Sequence, residues 1–122
     1  MNKQLNVFGE PLEVCCPSLI TGFYRNGFCS TGLGDIGLHV VCAVMTDNFL
    51  NYTKSRGNDL TQARPEYRFP GLSEGDHWCL CAERWIEAMD EGVAPKILMR
   101  KTHEKCLDYL SLEQLKTYAC DI

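Results

Sequence analysis

Two closely spaced cysteines beside an arginine raise the first chemical question. The stretch Gly75-Asp76-His77-Trp78-Cys79-Leu80-Cys81-Ala82-Glu83-Arg84-Trp85 holds both tryptophans, two of the eight cysteines and one of the three histidines. On a strand, Cys79 and Cys81 would share a face, with Cα atoms roughly 6.6 Å apart at about 3.3 Å per residue. That lies at the upper edge of disulfide reach, so the two are not expected to bridge each other. Both thiolates could instead lean onto one metal. Zinc would need two further ligands, drawn from Cys29, Cys42, Cys106, His39, His77 or His103. The spacing is not the C-x₂₋₄-C of zinc knuckles, and the ordinary reading stands beside the metal one: Cys42, Cys79 and Cys81 are small buried hydrophobes in strands.

A reactive thiol is the second chemistry. It needs a histidine, an arginine or a helix N-terminus nearby to favour the thiolate. Cys81 precedes an expected helix whose first turn holds Arg84, and Cys29 follows an expected turn. Arg56 offers a planar five-donor fork for a carboxylate or phosphate, and Asp59 could orient a ligand or move a proton. The same residues also read as structure, because Gly57 and Asn58 form a common helix stop and Asp59 can cap a turn. His39, His77 and His103 all fall at expected strand ends, where loops gather into sites. The candidate catalytic set is therefore Cys29, Cys81, Arg56, Asp59 and His103. The candidate ligand contacts are Arg25, His39, Asn58 and Trp78, and the candidate metal ligands are Cys79 and Cys81. Trp78 and Trp85 are most simply core residues. Gly32-Leu33-Gly34-Asp35-Ile36-Gly37 lacks the order and context of a phosphate loop and reads as a turn.

These groups need elements to position them. Residues 6–37 contain Pro11, Pro17 and many glycines, with weak periodicity, which predicts turns and short strands. Asn26-Gly27 suits a type I′ hairpin turn that would set Arg25 opposite Phe28 and Tyr24 opposite Cys29. Val40-Val41-Cys42-Ala43-Val44 predicts a strand covered on both faces. Thr46 or Asp47 can cap a following helix with Phe49, Leu50 and Thr53 inward and Gly57 as its stop. Residues 58–76 show no period, and a connection that long is often functional. His77–Ala82 predicts a strand, and Glu83–Asp90 a helix with Trp85, Ile86 and Met89 on one side and Gly92 as its stop. Ile97-Leu98-Met99 predicts another buried strand. Residues 103–110 fit a helix or a hairpin. Ser111-Leu112-Glu113-Gln114 is a capping box opening a last helix that turns Leu112, Leu115 and Ala119 inward. The expected fold is α+β, one compact domain over residues 1–122, with a small mixed or antiparallel sheet, two or three helices and an irregular N-terminal third.

Composition bounds the partners. With 12 basic against 16 acidic residues and a net charge of -4, scattered rather than clustered, no nucleic-acid interface is expected. No segment approaches a membrane span, and the N-terminus has no apolar core of signal-peptide length. A reducing cytoplasmic setting is the expectation, so the cysteines are read as thiols rather than as a disulfide framework.

At this point the residues resemble a known group. Thr21-Gly22-Phe23-Tyr24-Arg25, Cys42-Ala43-Val44-Met45-Thr46, Ser55-Arg56-Gly57-Asn58-Asp59-Leu60, Phe69-Pro70-Gly71-Leu72, Trp78-Cys79-Leu80-Cys81-Ala82 and Thr102-His103-Glu104 make the chain similar, from about Asn6 onward, to domain-of-unknown-function family 2237, small bacterial proteins. It departs at Val14-Cys15-Cys16, where that family reads Pro-Cys-Ser, and at Phe28, where a second cysteine is common. Position 28 therefore has no metal or disulfide role here. The resemblance implies no activity. Two classes of function remain: a module binding a small molecule or protein partner through 58–76, with an apolar patch at Tyr67, Phe69 and Leu72, and a small-molecule enzyme using a thiol or a Cys/His-bound zinc.

Overall fold

The apolar run at the centre of the chain forms the strand around which the rest packs. The computed structural model describes residues 4–16, 21–22, 24–35, 37–67 and 69–122. β1 (His39–Val44) buries Val40, Val41, Cys42 and Ala43 completely, as a strand covered on both faces must. β2 (His77–Cys81) pairs with it antiparallel, with Val44 opposite His77, Ala43 opposite Trp78, Cys42 opposite Cys79 and Val41 opposite Leu80. A register shift between His39 and Val41 then sets His39 opposite Cys81. Such a bulge re-aims the side chains beside it.

Among the described residues, three α-helices complete an α+β arrangement around this two-stranded sheet. α1 (Asp47–Ser55) starts at Thr46, whose Oγ1 accepts from the Phe49 amide at 3.1 Å, and turns Phe49, Leu50 and Thr53 inward. It ends at Arg56 followed by Gly57, whose φ of 87° is a conformation that glycine adopts without strain. α2 (Ala82–Asp90) buries Ala82, Trp85 and Ala88. Ile86 and Met89, expected inward, are half-buried instead, because the small alanines face the sheet and let Trp85 approach it. Trp85 is fully buried; its Nε1–H donates to the Pro95 carbonyl at 3.1 Å, and its ring meets Tyr118 edge-on at 5.0 Å. α3 (Leu112–Tyr118) has the full capping box, Ser111 Oγ accepting from Gln114 N and Gln114 Oε1 from Ser111 N, and it buries Leu115.

Several local expectations are corrected. Residues 97–99 do not make a third strand: Ile97 forms single bridges to Ala43 and Ala119, and Met99–Lys101 turns into a 3₁₀ helix. Thr102 intervenes there, its Oγ1 donating to Leu98 O at 2.9 Å and accepting from Cys42 N at 3.2 Å. Residues Glu104–Asp108 form a 3₁₀ helix rather than an α-helix or a hairpin. The hairpin at Asn26-Gly27 is absent among the described residues. Arg25 and Gly27 take positive φ, and Asn26 Oδ1 accepts from the Phe28 amide at 3.1 Å. This asparagine turn satisfies the backbone locally, without a ladder. Phe23, in the first arm of that hairpin, and Pro17 lie outside the described residues.

The N-terminal segment docks through Asn6, which is fully buried. Its Nδ2 donates to Arg100 O at 3.1 Å, and its Oδ1 accepts from the Phe8 and Glu10 amides at 2.9 and 3.1 Å. Among the described residues, no helix is long and apolar enough to cross a membrane.

Candidate functional site

The core elements leave one concave face open beside β2. Trp78, Cys79, Leu80 and Cys81, four consecutive residues of that strand, line a cleft of about 420 Å³. The opposite wall is the 58–69 loop, which supplies Asn58, Asp59, Leu60, Arg64, Tyr67 and Phe69, and the cleft is completed by Arg25, His39 and Arg84. The loop is anchored at both ends. Asn58 donates from Nδ2 to Thr53 Oγ1 at 3.0 Å, and Leu72 N–H donates to Leu60 O at 2.8 Å. Between these points Arg64 and Phe69 exchange backbone hydrogen bonds at 2.8 and 3.0 Å.

The floor is aromatic. Phe69 meets Trp78 edge-on at 5.2 Å, and the Arg25 guanidinium lies 5.7 Å from the Trp78 ring centroid. Arg25 also ties the two walls, its Nε donating to Tyr67 O at 3.0 Å and its Nη1 to Gly22 O at 2.6 Å. Arg84 Nη1 donates to Arg56 O at 3.3 Å and lies 3.4 Å from Glu87. Arg64 is exposed, and among the described residues its guanidinium has no ion-pair partner. Arg84 is thus paired with Glu87, outside the lining, while the described lining itself carries three arginines and one carboxylate, Asp59. That carboxylate accepts from Thr61 Oγ1 and N at 2.6 and 2.9 Å, and these bonds hold its pKa below the ordinary value. It stays charged near neutral pH and forms a turn with Thr61.

At the other end stands a cysteine–histidine–aspartate set. His39 and Cys81 face each other across the strands, where side chains on opposed residues come within about 4.5–5.5 Å at Cβ. Both line the cleft. Asp35, its side chain fully buried, sits 2.7 Å from His39 Nδ1 through Oδ1. Its Oδ2 accepts from the His39 amide at 2.9 Å and from Thr31 Oγ1 at 3.0 Å. A carboxylate oxygen only accepts, so Nδ1 carries the proton. Leu38, with φ of 49°, makes the turn that brings Asp35 under His39. Among the described residues only Arg25 and Leu38 are non-glycines with positive φ, and each positions a cleft group. Backbone strain of this kind concentrates at functional sites. Cys81 is a free, half-buried thiol at the N-cap of α2 and makes no capping bond.

The remaining cysteines revise the expectation of thiols. Cys15 is bonded to Cys42, and Cys29 to Cys79. In this state neither Cys29 as nucleophile nor Cys79 as metal ligand has a thiolate to offer. The physical reason is placement: the N-terminal segment lays Cys15 and Cys29 over the Cys42/Cys79 cross-strand pair, which chain spacing alone does not reveal. Cys81 is not part of that sulfur group among the described residues. Burial pushes the Cys106 thiol up to about 12, and burial followed by Asp121 raises Cys120.

The structure brings together Arg25, His39, Asn58, Asp59, Trp78, Cys79 and Cys81 on one cleft. It leaves out Arg56, which lies on the α1–α2 surface, 3.6 Å from Glu87. It also leaves out His103, buried at the start of a 3₁₀ helix with Nδ1 accepting from Lys105 N at 3.0 Å. The expected apolar patch dissolves too, since Tyr67 is exposed but Phe69 and Leu72 are buried. Arg64 and the Asp35 support of His39 were missing from the candidate set. The positional signal for Arg64 was the long aperiodic loop, and for Asp35 its place four residues before His39.

These residues sit within segments shared by a known family. The family model for an uncharacterized protein conserved in bacteria, DUF2237, matches residues 5–119. The chain belongs to that family. As a DUF2237 protein it has the whole cleft, from Arg25 to Arg84, inside the matched span. No curated protein matches the chain.

Proposed function

We propose that this DUF2237 protein binds a small anionic molecule with an apolar or aromatic body in the cleft beside β2. The observation that supports this is the charge and surface of the cleft: Arg25, Arg64 and the Glu87-paired Arg84 stand with Asp59 as the one carboxylate among the described lining residues, over a floor of Phe69, Trp78 and Leu80. Guanidiniums recognise carboxylates and phosphates through paired N–H donors, and aromatic faces take the apolar remainder. The volume of about 420 Å³ fits a metabolite rather than a polymer. A thermal-shift screen of small organic acids and phosphate esters tests it. A fitting acid at about 100 times its Kd adds about 2.7 kcal/mol of stability. That gain should fall away in Arg64→Gln and Arg84→Gln. Equal shifts in wild type and both variants would reject the cleft as the anion site.

A second reading rests on the Cys81–His39–Asp35 arrangement. His39 Nε2 takes the Cys81 proton, the thiolate attacks the acyl carbon of a bound thioester or activated acyl compound, and the bond to the leaving group breaks as that group takes the proton from His39, leaving an acyl-Cys81; Asp35 holds the imidazole tautomer. It is tested by mass spectrometry for an adduct on Cys81 after exposure to thioesters or activated acyl compounds. Labelling confined to Cys120 would reject it. We infer a cytoplasmic setting for either activity, supported by the thiols of Cys81, Cys106 and Cys120 and opposed by the Cys15–Cys42 and Cys29–Cys79 bonds, which that setting would hold reduced; cell fractionation with thiol trapping checks it.

A further inference from the structure

Behind the cleft, four sulfurs gather in a dry pocket closed by Leu98 and Val44. Cys42 and Cys79 oppose each other across β1 and β2, and Cys15 and Cys29 reach them from the N-terminal segment. The Cys15 amide anchors that segment to Gly27 O at 2.8 Å. None of the four is more than 1% exposed. The Cys15, Cys29 and Cys79 sulfurs all lie within 4.8 Å of one another, and Cys42 is bonded to Cys15. A zinc ion with Zn–S bonds of about 2.3 Å needs sulfurs about 3.8 Å apart at the corners of its tetrahedron. Two strand ligands facing two loop ligands supply those corners once the bonded pairs are reduced and open to that spacing, while the unbonded pairs close by at most about one ångström through side-chain rotation.

We infer that Cys15, Cys29, Cys42 and Cys79, when reduced, hold one zinc ion as a closed tetrathiolate centre, of which the two disulfides are the oxidised, metal-free form. Sulfur-only sets select zinc or iron, and burial without an open position marks a structural rather than a catalytic ion. The chemistry balances. A dithiol or phosphine reductant delivers four electrons, with four protons, to the two disulfides, and zinc then displaces the four thiol protons. In reverse, two hydrogen peroxide molecules each take two electrons from the tetrathiolate. Two disulfides form, zinc is released, and four protons with the peroxide oxygens become four waters. The centre shares Cys79 with the cleft floor but is independent of what the cleft binds.

The test uses the full chain with Cys16, Cys81, Cys106 and Cys120 changed to Ser. Reduced anaerobically with a phosphine, it is titrated with Co²⁺, then with Zn²⁺ as competitor. One equivalent of Co²⁺ should give thiolate-to-cobalt charge transfer of four-sulfur intensity, displaced by one Zn²⁺. Two equivalents of peroxide should then release the zinc, lower the mass by four hydrogens and restore the Cys15–Cys42 and Cys29–Cys79 pairs in peptide maps. A further Cys29→Ser change should drop the cobalt intensity to that of three thiolates. It should also weaken zinc by at least about 100-fold, beyond what loss of an outer hydrogen-bond partner costs. Refolding of an unfolded reduced chain by zinc also supports the centre. A reduced chain that shows no saturation at one equivalent, folded or not, overturns it, and so does binding unchanged by Cys29→Ser.

Discussion

Replacing Asp35 by Asn separates the chemistry of His39 from the fold that holds it. The carboxylate makes three contacts: Oδ1 to His39 Nδ1 at 2.7 Å, and Oδ2 from the His39 amide at 2.9 Å and Thr31 Oγ1 at 3.0 Å. The amide of Asn fits best with its oxygen in the Oδ2 place, keeping those two donors. Its NH₂ then faces Nδ1, which must become an acceptor, and the imidazole proton moves to Nε2. The ring stays in place while Nε2 can no longer act as the base. Two charge-assisted bonds become neutral ones at about 1 kcal/mol each, partly offset by removing a buried charge, for a net loss of about 1 kcal/mol. That lowers Tm by about 3–5 °C. General-base help is worth about 10²–10⁴-fold in catalysis, so iodoacetamide labelling of Cys81, a less demanding reaction, should slow at least about tenfold. Timed labelling with peptide mass spectrometry reads the rate, and ¹⁵N shifts of the His39 ring read the tautomer. Cys81 labelled at the wild-type rate, with the ring tautomer switched and the fold intact, would refute the triad.

Other consequences are checked more briefly. Burial lowers the His103 pKa below its ordinary 6.5, so the unfolded chain takes up that proton first. The stability His103 contributes is full above about pH 6.5 and is lost as pH falls through the folded value. Chemical denaturation of wild type and His103→Gln from pH 7.5 to 5 should show the variant with the shallower acid loss. Cys106, pushed up to about 12 and buried, should resist alkylation in native protein at pH 8 and react only on unfolding. Asn6→Ala deletes three hydrogen bonds at a fully buried site and should cost about 3 kcal/mol in urea melts. Gly71 has φ of 81°, and a Cβ there would sit 2.8 Å from Thr61 O. Gly71→Ala should therefore cost about 2 kcal/mol and disturb the loop wall of the cleft. Reduction of Cys15–Cys42 without metal opens a 27-residue separation and should cost about 3.5 kcal/mol.

The elements with strong local chemistry were legible in sequence. The Val40–Val44 run, the Thr46 cap and the Ser111/Gln114 box act through neighbours a few residues away, so pattern alone places them. Where a distant group decides, pattern misleads. Thr102 binds the Cys42 amide and Leu98 carbonyl across 60 and 4 residues, which ends the expected strand at Ile97. Asn26 satisfies its own turn, and no hairpin forms among the described residues. The site divides the same way. Residues flanking the strands and the long loop converge on the cleft, while Arg56 and His103 satisfy partners elsewhere. The disulfide pairing depends on how residues 15–29 cross the sheet, and no spacing along the chain encodes that crossing.

The cleft beside β2 should prefer anions. Protein-observed NMR with benzoate and phenyl phosphate, matched against benzylamine and benzyl alcohol, measures it directly. Both anions should shift the Trp78 indole and the Arg64 and Cys81 amides saturably. The amine and the alcohol should leave them unmoved, and Arg64→Gln should weaken the effect. Shifts that ignore charge, or that fall outside this cleft, would contradict the assignment.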